Sequence, residues 1–262
     1  MRQLRIGIRL ESLGLPFRLS LQEAGKLGAA GIQVDAAGEL SPRRLSHTGR
    51  RELRQLLRSH NLELTALGCP LRRGLDLADD LEARIEYVKQ VLAMSFDLGP
   101  RLVIVQPGKI PADAEAKDNP ILAEAVSTIA RHGDKVGATM ALEGLASGEA
   151  MAQFLDRFDT GSLGANLDPA NQLWDGFDPS ATARALGQRL KHVHARDARF
   201  VGPDRRAQEV SLGSGDIDWL QLLGTLEEVE YHGWLTIKRE EGDRRLADIA
   251  DGITFLKRLG AG

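Results

Sequence analysis

Acidic and histidine side chains stand at the ends of three short apolar runs in the second half of the chain. Glu143 and Asp168 each directly follow such a run, and His194 lies near the end of a third. Carboxylate oxygens and imidazole nitrogens are ligands that proteins offer to divalent metal ions. A fourth run is followed by Lys238, whose ammonium donates hydrogen bonds and repels metal ions. The first three residues therefore indicate a divalent-metal site, and Lys238 opposes it.

These runs belong to a longer pattern in which short apolar segments alternate with amphipathic stretches, as in βα units around a parallel sheet. The segments predicted as strands are Leu4 to Ile8, Ile32 to Asp35, Leu62 to Leu67, Leu102 to Gln106, Thr139 to Glu143, Leu163 to Asp168, Leu190 to Arg196 and Trp234 to Lys238. Eight units, with no G-x-G-x-x-G sequence after the first, predict an α/β chain forming a single (β/α)₈ TIM barrel over residues 1–262. Reactive groups of such barrels lie at the carboxyl ends of the strands, so these distant residues would meet at one mouth.

Local signals mark where several helices begin and end. Ser20 to Glu23 has the pattern of a capping box, and Asn119 and Asp178 each stand before a proline that would open a helix. Glycines in a left-handed conformation commonly end helices. The glycines expected at helix ends are Gly31, Gly99 and Gly137.

Composition excludes several classes of protein. The chain has 262 residues, 42% of them apolar and 27% charged, with a net charge of -3. These values are typical of a globular protein and give no basic surface for nucleic acid. No apolar run reaches the ~20 residues that span a bilayer, and the first residues lack the apolar core of a secretory signal. With Cys69 as the single cysteine, we expect a cytoplasmic protein without nucleic-acid or membrane partners. A homo-oligomer is left open.

Alternate residues of a strand face the same side, so several polar residues should face the barrel interior together. An unpaired buried polar group costs on the order of 1–3 kcal/mol, so these side chains must bond to one another, to a ligand or to water. The groups in question are Asn166 with Asp168, His192 with His194 and Arg196, and Thr236 with Lys238 and Glu240.

At these positions the chain resembles the xylose-isomerase-like barrels, which include sugar phosphate isomerases and ketose 3-epimerases. The matching segments are Ala141 to Gly144, Asn166 to Asn171, His192 to Ala198, Leu212 to Asp216 and Gly233 to Glu240. The resemblance implies a divalent metal, Mn²⁺, Mg²⁺, Co²⁺ or Zn²⁺, held by Glu143, Asp168, His194 and a second glutamate. That last ligand falls on Lys238, which is where this chain departs from the family.

The resemblance also implies a function. We expect a sugar isomerase or epimerase that acts on a ketose or sugar phosphate by proton transfer beside a carbonyl, with Glu143 as acid or base. Glu149 and Asn171 would hold substrate hydroxyls. One alternative is a lyase or dehydratase of the same fold acting on a keto-sugar or polyol, and another is an inactive sugar-binding barrel.

Lys238 leaves several physical outcomes open. Glu240, on the same strand face, would supply the missing oxygen ligand, or Lys238 would replace the ion by pairing with Glu143 or Asp168, or the cage is vestigial. A lysine with a lowered pKa would also serve as a proton carrier or Schiff-base nucleophile. A lysine with a packed stem and a head in solvent would have no such role.

Several other residues have a possible role in substrate binding or in the core. Arg196 would clamp an anionic group, and Trp174 would line a sugar pocket with its apolar face. Gly213 and Gly215 would either cradle a phosphate or simply form a turn. His192 is expected to be a core histidine with satisfied hydrogen bonds, and Cys69 a buried thiol without a catalytic role.

Overall fold

Eight parallel strands close into a barrel. The computed structural model describes residues 4–110, 119–144, 146–202 and 206–260. The barrel strands are β1 (Arg5–Arg9), β2 (Gly31–Asp35), β3 (Glu63–Cys69), β4 (Leu102–Val105), β5 (Thr139–Leu142), β6 (Leu163–Leu167), β7 (Leu190–Ala195) and β10 (Trp234–Ile237). They pair in the order β1-β10-β7-β6-β5-β4-β3-β2. The predicted (β/α)₈ barrel is confirmed, and each predicted strand is present with its ends moved by at most two residues. The extent of the domain stays a prediction.

Helices connect the strands on the outside of the barrel. They are α1 (Phe17–Lys26), α2 (His47–Ser59), α3 (Leu81–Leu98), α4 (Pro120–Val136), α5 (Gly148–Leu155), α6 (Pro169–Trp174), α7 (Pro179–Leu186), α8 (Trp219–Glu228) and α9 (Arg245–Leu259). Short 3-10 helices cover Leu10–Leu13, Gly38–Leu40 and Gly187–Arg189. The predicted caps Asn119 and Asp178 accept backbone N–H bonds at the starts of α4 and α7. Gly99 and Gly137 end α3 and α4 with φ of +113° and +74°.

Two local predictions at α1 are wrong. Ser20 does not cap a helix, because α1 begins three residues earlier and the Ser20 hydroxyl donates to the Leu15 carbonyl at 3.0 Å. Gly31 does not end α1; it is the first residue of β2, and Gly28 takes the left-handed conformation with φ of +72°. A Cβ on Gly31 would lie 2.9 Å from the Trp234 ring, so this glycine is needed for close packing between strands.

A two-stranded hairpin between β7 and α8 was not predicted. Its strands β8 (Asp197–Val201) and β9 (Arg206–Val210) pair antiparallel, with Asp197 opposite Val210. Because β8 begins two residues after β7 ends, the hairpin starts at the carboxyl end of the barrel. It thereby brings acidic residues from outside the barrel to the mouth.

The barrel interior is divided into an apolar and a polar side. One continuous apolar core lies between the strands and the helices. A separate small cluster of Ala66, Ile104 and Ala141 comes from β3, β4 and β5. Ile104 and Ala141 alternate with residues of the outer core, so they face the axis. The strands that follow β5 around the barrel, β6, β7 and β10, contribute polar side chains to the interior instead.

Gly148 and Gly224 are two helical glycines in different surroundings, and replacing each with alanine tests how closely the outer helices pack. A Cβ on Gly148 in α5 would lie 2.5 Å from Thr182 Cα in α7, whereas one on Gly224 in α8 would meet nothing within 4 Å. We expect Gly148→Ala to lower the free energy of unfolding by about 1–3 kcal/mol through overpacking. Gly224→Ala should raise it by about 0.5–1 kcal/mol, because alanine favours helix more than glycine does. Urea unfolding measures both, and equal effects would contradict the close approach of α5 and α7.

Candidate active site

Four side chains from four strand ends converge at the barrel mouth. Glu143 follows β5, Asp168 follows β6, His194 lies in β7 and Lys238 follows β10. Lys238 Nζ is 3.1 Å from Glu143 Oε1 and 3.0 Å from Asp168 Oδ2. His194 Nδ1 is 2.7 Å from Glu143 Oε2. None of the four is more than 6% exposed, so the predicted convergence is present and lies below the surface.

The start of α6 positions the Asp168 carboxylate. Pro169 opens the helix, and Asp168 Oδ1 accepts the backbone N–H of Asn171 at 3.2 Å. This cap fixes one carboxylate oxygen and leaves Oδ2 directed to Lys238. The same turn places the Asn171 amide, whose Nδ2 donates to Glu143 Oε1 at 3.2 Å. The Asp-Pro pair therefore sets the geometry of two site residues.

A chain of hydrogen bonds crosses the polar side of the barrel interior. The Thr236 hydroxyl lies 2.8 Å from His192 Nε2, and His192 Nδ1 lies 2.8 Å from Asn166 Oδ1. Asn166 Nδ2 in turn donates to Glu143 Oε2 at 2.6 Å. Because an amide oxygen only accepts, His192 donates from Nδ1, and in the neutral ring Nε2 accepts from the Thr236 hydroxyl. Burial, together with the nearby His194, holds the pKa of His192 well below its usual value, and the expected satisfied core histidine is confirmed.

The Lys238 contacts are between full charges. Burial alone would lower the pKa of Lys238, but the carboxylates of Glu143 and Asp168 raise it above its usual value. Burial alone would raise the pKa of Glu143, but Lys238 and His194 hold it well below its usual range. The Lys238 head lies buried against both carboxylates rather than in solvent, and its raised pKa disfavours the neutral amine that a Schiff-base nucleophile requires. Of the environments considered for Lys238, the structure shows the one in which its ammonium pairs with both Glu143 and Asp168.

Three of these residues have the spacing of a metal site. Glu143, Asp168 and His194 each offer one ligand atom, and these atoms lie within 4.8 Å of one another. Lys238 does not fit the same ion, because its ammonium contacts one oxygen of each of the two carboxylates that the ion would need. Ligand bonds of about 2.0–2.6 Å would put the ion's charge within a few Å of Nζ. The triad is thus suited to a metal, whereas the complete set with protonated Lys238 is not.

Glu240, the other predicted metal ligand, lies outside this triad. Its Oε1 is 2.7 Å from Arg9 Nη1, and its Oε2 is 3.1 Å from Arg196 Nη2. The carboxylate is 40% exposed, unlike those of Glu143 and Asp168. Its assignment as a ligand stays a prediction.

Arg196 belongs to a second buried group of charges beside the first. Its Nε donates to Glu209 Oε2 at 2.7 Å, and its Nη1 lies 3.6 Å from Asp168 Oδ2. Its guanidinium carbon is 4.4 Å from the centre of the Trp174 ring. Glu209, in β9, also accepts from Arg239 at 2.8 Å. The Arg196 side chain is therefore already held by carboxylates where it was expected to clamp an anionic group.

Asp197 and Glu209 are site-region residues that the sequence analysis missed. Asp197 Oδ2 accepts the backbone N–H groups of Gly213 at 2.8 Å and Gly215 at 3.2 Å. It also accepts the indole N–H of Trp219 at 3.1 Å. The loop amides that would cradle a phosphate are thus bound to a carboxylate of the chain itself. The only sequence signal was the position of Asp197 directly after the strand-end Arg196.

The remaining predicted residues lie further from the cluster or have simple environments. Glu149 is in the first turn of α5 with an exposed side chain, and its substrate role stays a prediction. Trp174 contacts Arg196 and lines a cleft of about 740 Å³ with Phe177 and Phe200. Cys69 is buried, and burial raises the pKa of its thiol.

Comparison with known proteins identifies the family. The sequence profile of the xylose isomerase-like TIM barrel matches residues 21–259. This chain belongs to that family. The uncharacterized protein YfiH of Bacillus subtilis (strain 168) is 25% identical over 285 residues, covering 88% of this chain and 91% of the relative.

Solved structures share the fold over almost the full length. A xylose isomerase domain protein from Planctomyces limnophilus has a TM-score of 0.86 at 23% identity, covering 98% of this chain and 97% of its own. A D-tagatose 3-epimerase-like protein has a TM-score of 0.79 at 18% identity, with coverage of 98% and 97%. Epimerases and dehydratases both occur among the similar proteins. An inosose dehydratase of Clostridium tetani, for example, is 30% identical over 105 residues, 35% of each chain. In the described residues, no helix has the length and apolarity to cross a membrane.

Glu11 lies at the edge of the mouth in an acidic environment. Its Oε1 accepts the backbone N–H of Asp35 at 2.7 Å, and Arg9 Nη2 pairs with Asp35 Oδ2 at 2.8 Å. Burial and the charge of Asp35 raise the pKa of Glu11 to about 7. Glu11 therefore binds a proton more tightly in the folded chain than in the unfolded chain.

We expect Glu11→Gln to remove part of the pH dependence of stability. Between the unfolded pKa and about 7, the folded protein holds more protons, so the stability that Glu11 provides is present at low pH and is lost as pH rises. After allowance for solvent screening, the loss is about 1–2 kcal/mol. Urea unfolding at pH 5 and pH 8 should show Glu11→Gln gaining stability over the wild type only at pH 8. Glu52→Gln on the exposed face of α2 is the control. If Glu11→Gln gained the same stability at pH 5 and at pH 8, the raised pKa of Glu11 would be contradicted.

Proposed function

We propose that this protein is an isomerase or epimerase that moves a proton at a carbon beside the carbonyl of a small ketose. The observation that carries the proposal is the contact of the Glu143 carboxylate with the Lys238 ammonium, 3.1 Å apart at the barrel mouth. Such chemistry needs a base for the carbon-bound proton and a positive charge near the oxygen that becomes negative. Glu143 and Lys238 supply these two groups in adjacent positions.

The reaction starts when the ketose carbonyl oxygen takes a place beside the Lys238 ammonium. A carboxylate oxygen of Glu143 removes the proton from the adjacent carbon, and the electron pair of the broken C–H bond moves onto the carbonyl oxygen. The resulting enediolate is stabilised by the N–H donors of Lys238. For the epimer, a water molecule on the opposite face donates a proton to the same carbon, and Glu143 passes the proton it removed back to water. For the isomer, Glu143 returns its proton to the former carbonyl carbon, and the proton of the neighbouring hydroxyl moves to the former carbonyl oxygen.

The low pKa of Glu143 sets a condition on this step. While Lys238 and His194 contact the carboxylate, Glu143 is a weak base. A substrate oxygen that draws the ammonium away from Glu143 would raise the basicity of the carboxylate at the moment it is required. Asn171 Nδ2, which already donates to Glu143, would keep the carboxylate oriented during this exchange.

Two features favour an unphosphorylated substrate. The backbone amides of Gly213 and Gly215 are bound to Asp197, and Arg196 is bound to Glu209. Both groups would otherwise be suitable phosphate donors near the mouth. A phosphate would have to displace a buried carboxylate at either place, so we favour a free ketose.

A dehydratase is the second candidate. The segment similar to the inosose dehydratase of Clostridium tetani supports it. The first step would be the same proton removal, but the enediolate would then expel a neighbouring hydroxyl group as water. The two functions differ in the fate of the intermediate, which NMR can follow.

Incubation with free 2-ketohexoses, 2-ketopentoses and an inosose in deuterated water tests the proposal. An isomerase or epimerase incorporates deuterium beside the carbonyl and yields a new sugar, whereas a dehydratase yields an unsaturated or deoxy product. The variant Glu143→Gln lacks the base, so its turnover should be about 100-fold lower than that of the wild type, or lower still. The control Glu52→Gln on α2 should turn over substrate like the wild type. Sugar binding by calorimetry without exchange or elimination would reject catalysis and indicate a binding barrel.

A further inference from the structure

We infer that Lys238 permanently replaces a divalent metal ion. The wild-type site therefore binds no such ion, whereas the substitution Lys238→Glu creates a site that binds one. Nζ of Lys238 lies on two carboxylates from two different strands, at 3.0 and 3.1 Å. These two carboxylate groups, with the His194 imidazole, form the triad that has ligand spacing. The inference concerns cation binding and holds whichever reaction the site catalyses.

Lys238 already offsets part of the negative charge at the site. Glu143 and Asp168 contribute two negative charges and Lys238 one positive charge, while Arg196, whose Nη1 is 3.6 Å from Asp168 Oδ2, is paired with Glu209. Adding a divalent ion would change the net formal charge of Glu143, Asp168 and Lys238 from -1 to +1 and would leave positive charge uncompensated in a site where no member is more than 6% exposed. Uncompensated charge is strongly unfavourable in such surroundings. Lys238→Glu would give the site three carboxylates and no ammonium, so that a divalent ion would offset two of three negative charges.

The ligand atoms are also oriented for an ion. His194 Nε2 donates to the Gln33 Oε1 acceptor at 2.9 Å, so Nδ1 is the nitrogen that faces the site and would bind an ion once it is free of a proton. Nδ1 is 2.7 Å from Glu143 Oε2 and 3.9 Å from Asp168 Oδ2, on the side where both carboxylates lie. A glutamate side chain is one atom shorter than a lysine side chain. Lys238→Glu would therefore open space near the former Nζ position and add an oxygen ligand, which makes a set of three carboxylates and one imidazole suited to Mn²⁺ or Zn²⁺.

Metal binding measured without substrate tests the inference. Full-length protein freed of metal with EDTA is titrated with MnCl₂ by calorimetry, and its melting temperature is recorded with and without Mn²⁺. The wild type should show no stoichiometric binding and an unchanged melting temperature. Lys238→Glu should bind one Mn²⁺ at least about 100-fold more tightly than the wild type, and Mn²⁺ should raise its melting temperature. Adding His194→Ala should remove this gain.

Two further variants control for charge and for folding. Lys191→Glu changes the charge by the same amount at an exposed position of β7 and should not bind Mn²⁺. Lys238→Ala removes the ammonium without adding a carboxylate, so it should bind Mn²⁺ at least about tenfold more tightly than the wild type even if Lys238→Glu fails to fold. Stoichiometric Mn²⁺ binding by the wild type, or none by both Lys238 variants, would overturn the inference. A failure to convert any ketose would leave it unaffected.

Discussion

The contact of one buried ammonium with two buried carboxylates is the interaction on which the barrel mouth depends. Transferring an ion from water to a protein interior costs several kcal/mol, and only close partners and further hydrogen bonds offset this cost. Glu143 meets this requirement through Lys238, Gln106, Asn166 and Asn171. The surrounding polar residues are therefore explained by the charges at the centre, whether or not each of them contacts a substrate.

The barrel interior is arranged to supply those partners. On the side of β3 to β5, small apolar residues face the axis, whereas β6, β7 and β10 contribute amide, imidazole and hydroxyl groups. The hydrogen-bond chain from Thr236 through His192 and Asn166 ends at Glu143. Because each donor in this chain meets an acceptor, the Glu143 carboxylate is held in one orientation, which suits a base that must reach a particular carbon atom.

A second group of charges extends the mouth beyond the strands. The β8-β9 hairpin carries Glu209 to Arg196 and Arg239, and Asp197 holds the loop before α8 through Gly213 and Gly215. These contacts neutralise the groups that would otherwise attract an anion. The family fold thus remains intact with a different charge at position 238, because the closed sheet depends on backbone pairing and apolar packing rather than on that residue.

The sequence by itself determined the barrel strands, most of the predicted helix ends and the convergence of Glu143, Asp168, His194 and Lys238. These follow from periodicity, from proline and glycine positions and from the rule that strand ends meet at one mouth. It did not determine the β8-β9 hairpin, the roles of Asp197 and Glu209 or the true start of α1. Nor could it decide among the possible environments of Lys238. The tertiary structure decided these because partners such as Lys238 and Glu143 are 95 residues apart in the chain, and the pairing of buried charges depends on distances of a few Å in space.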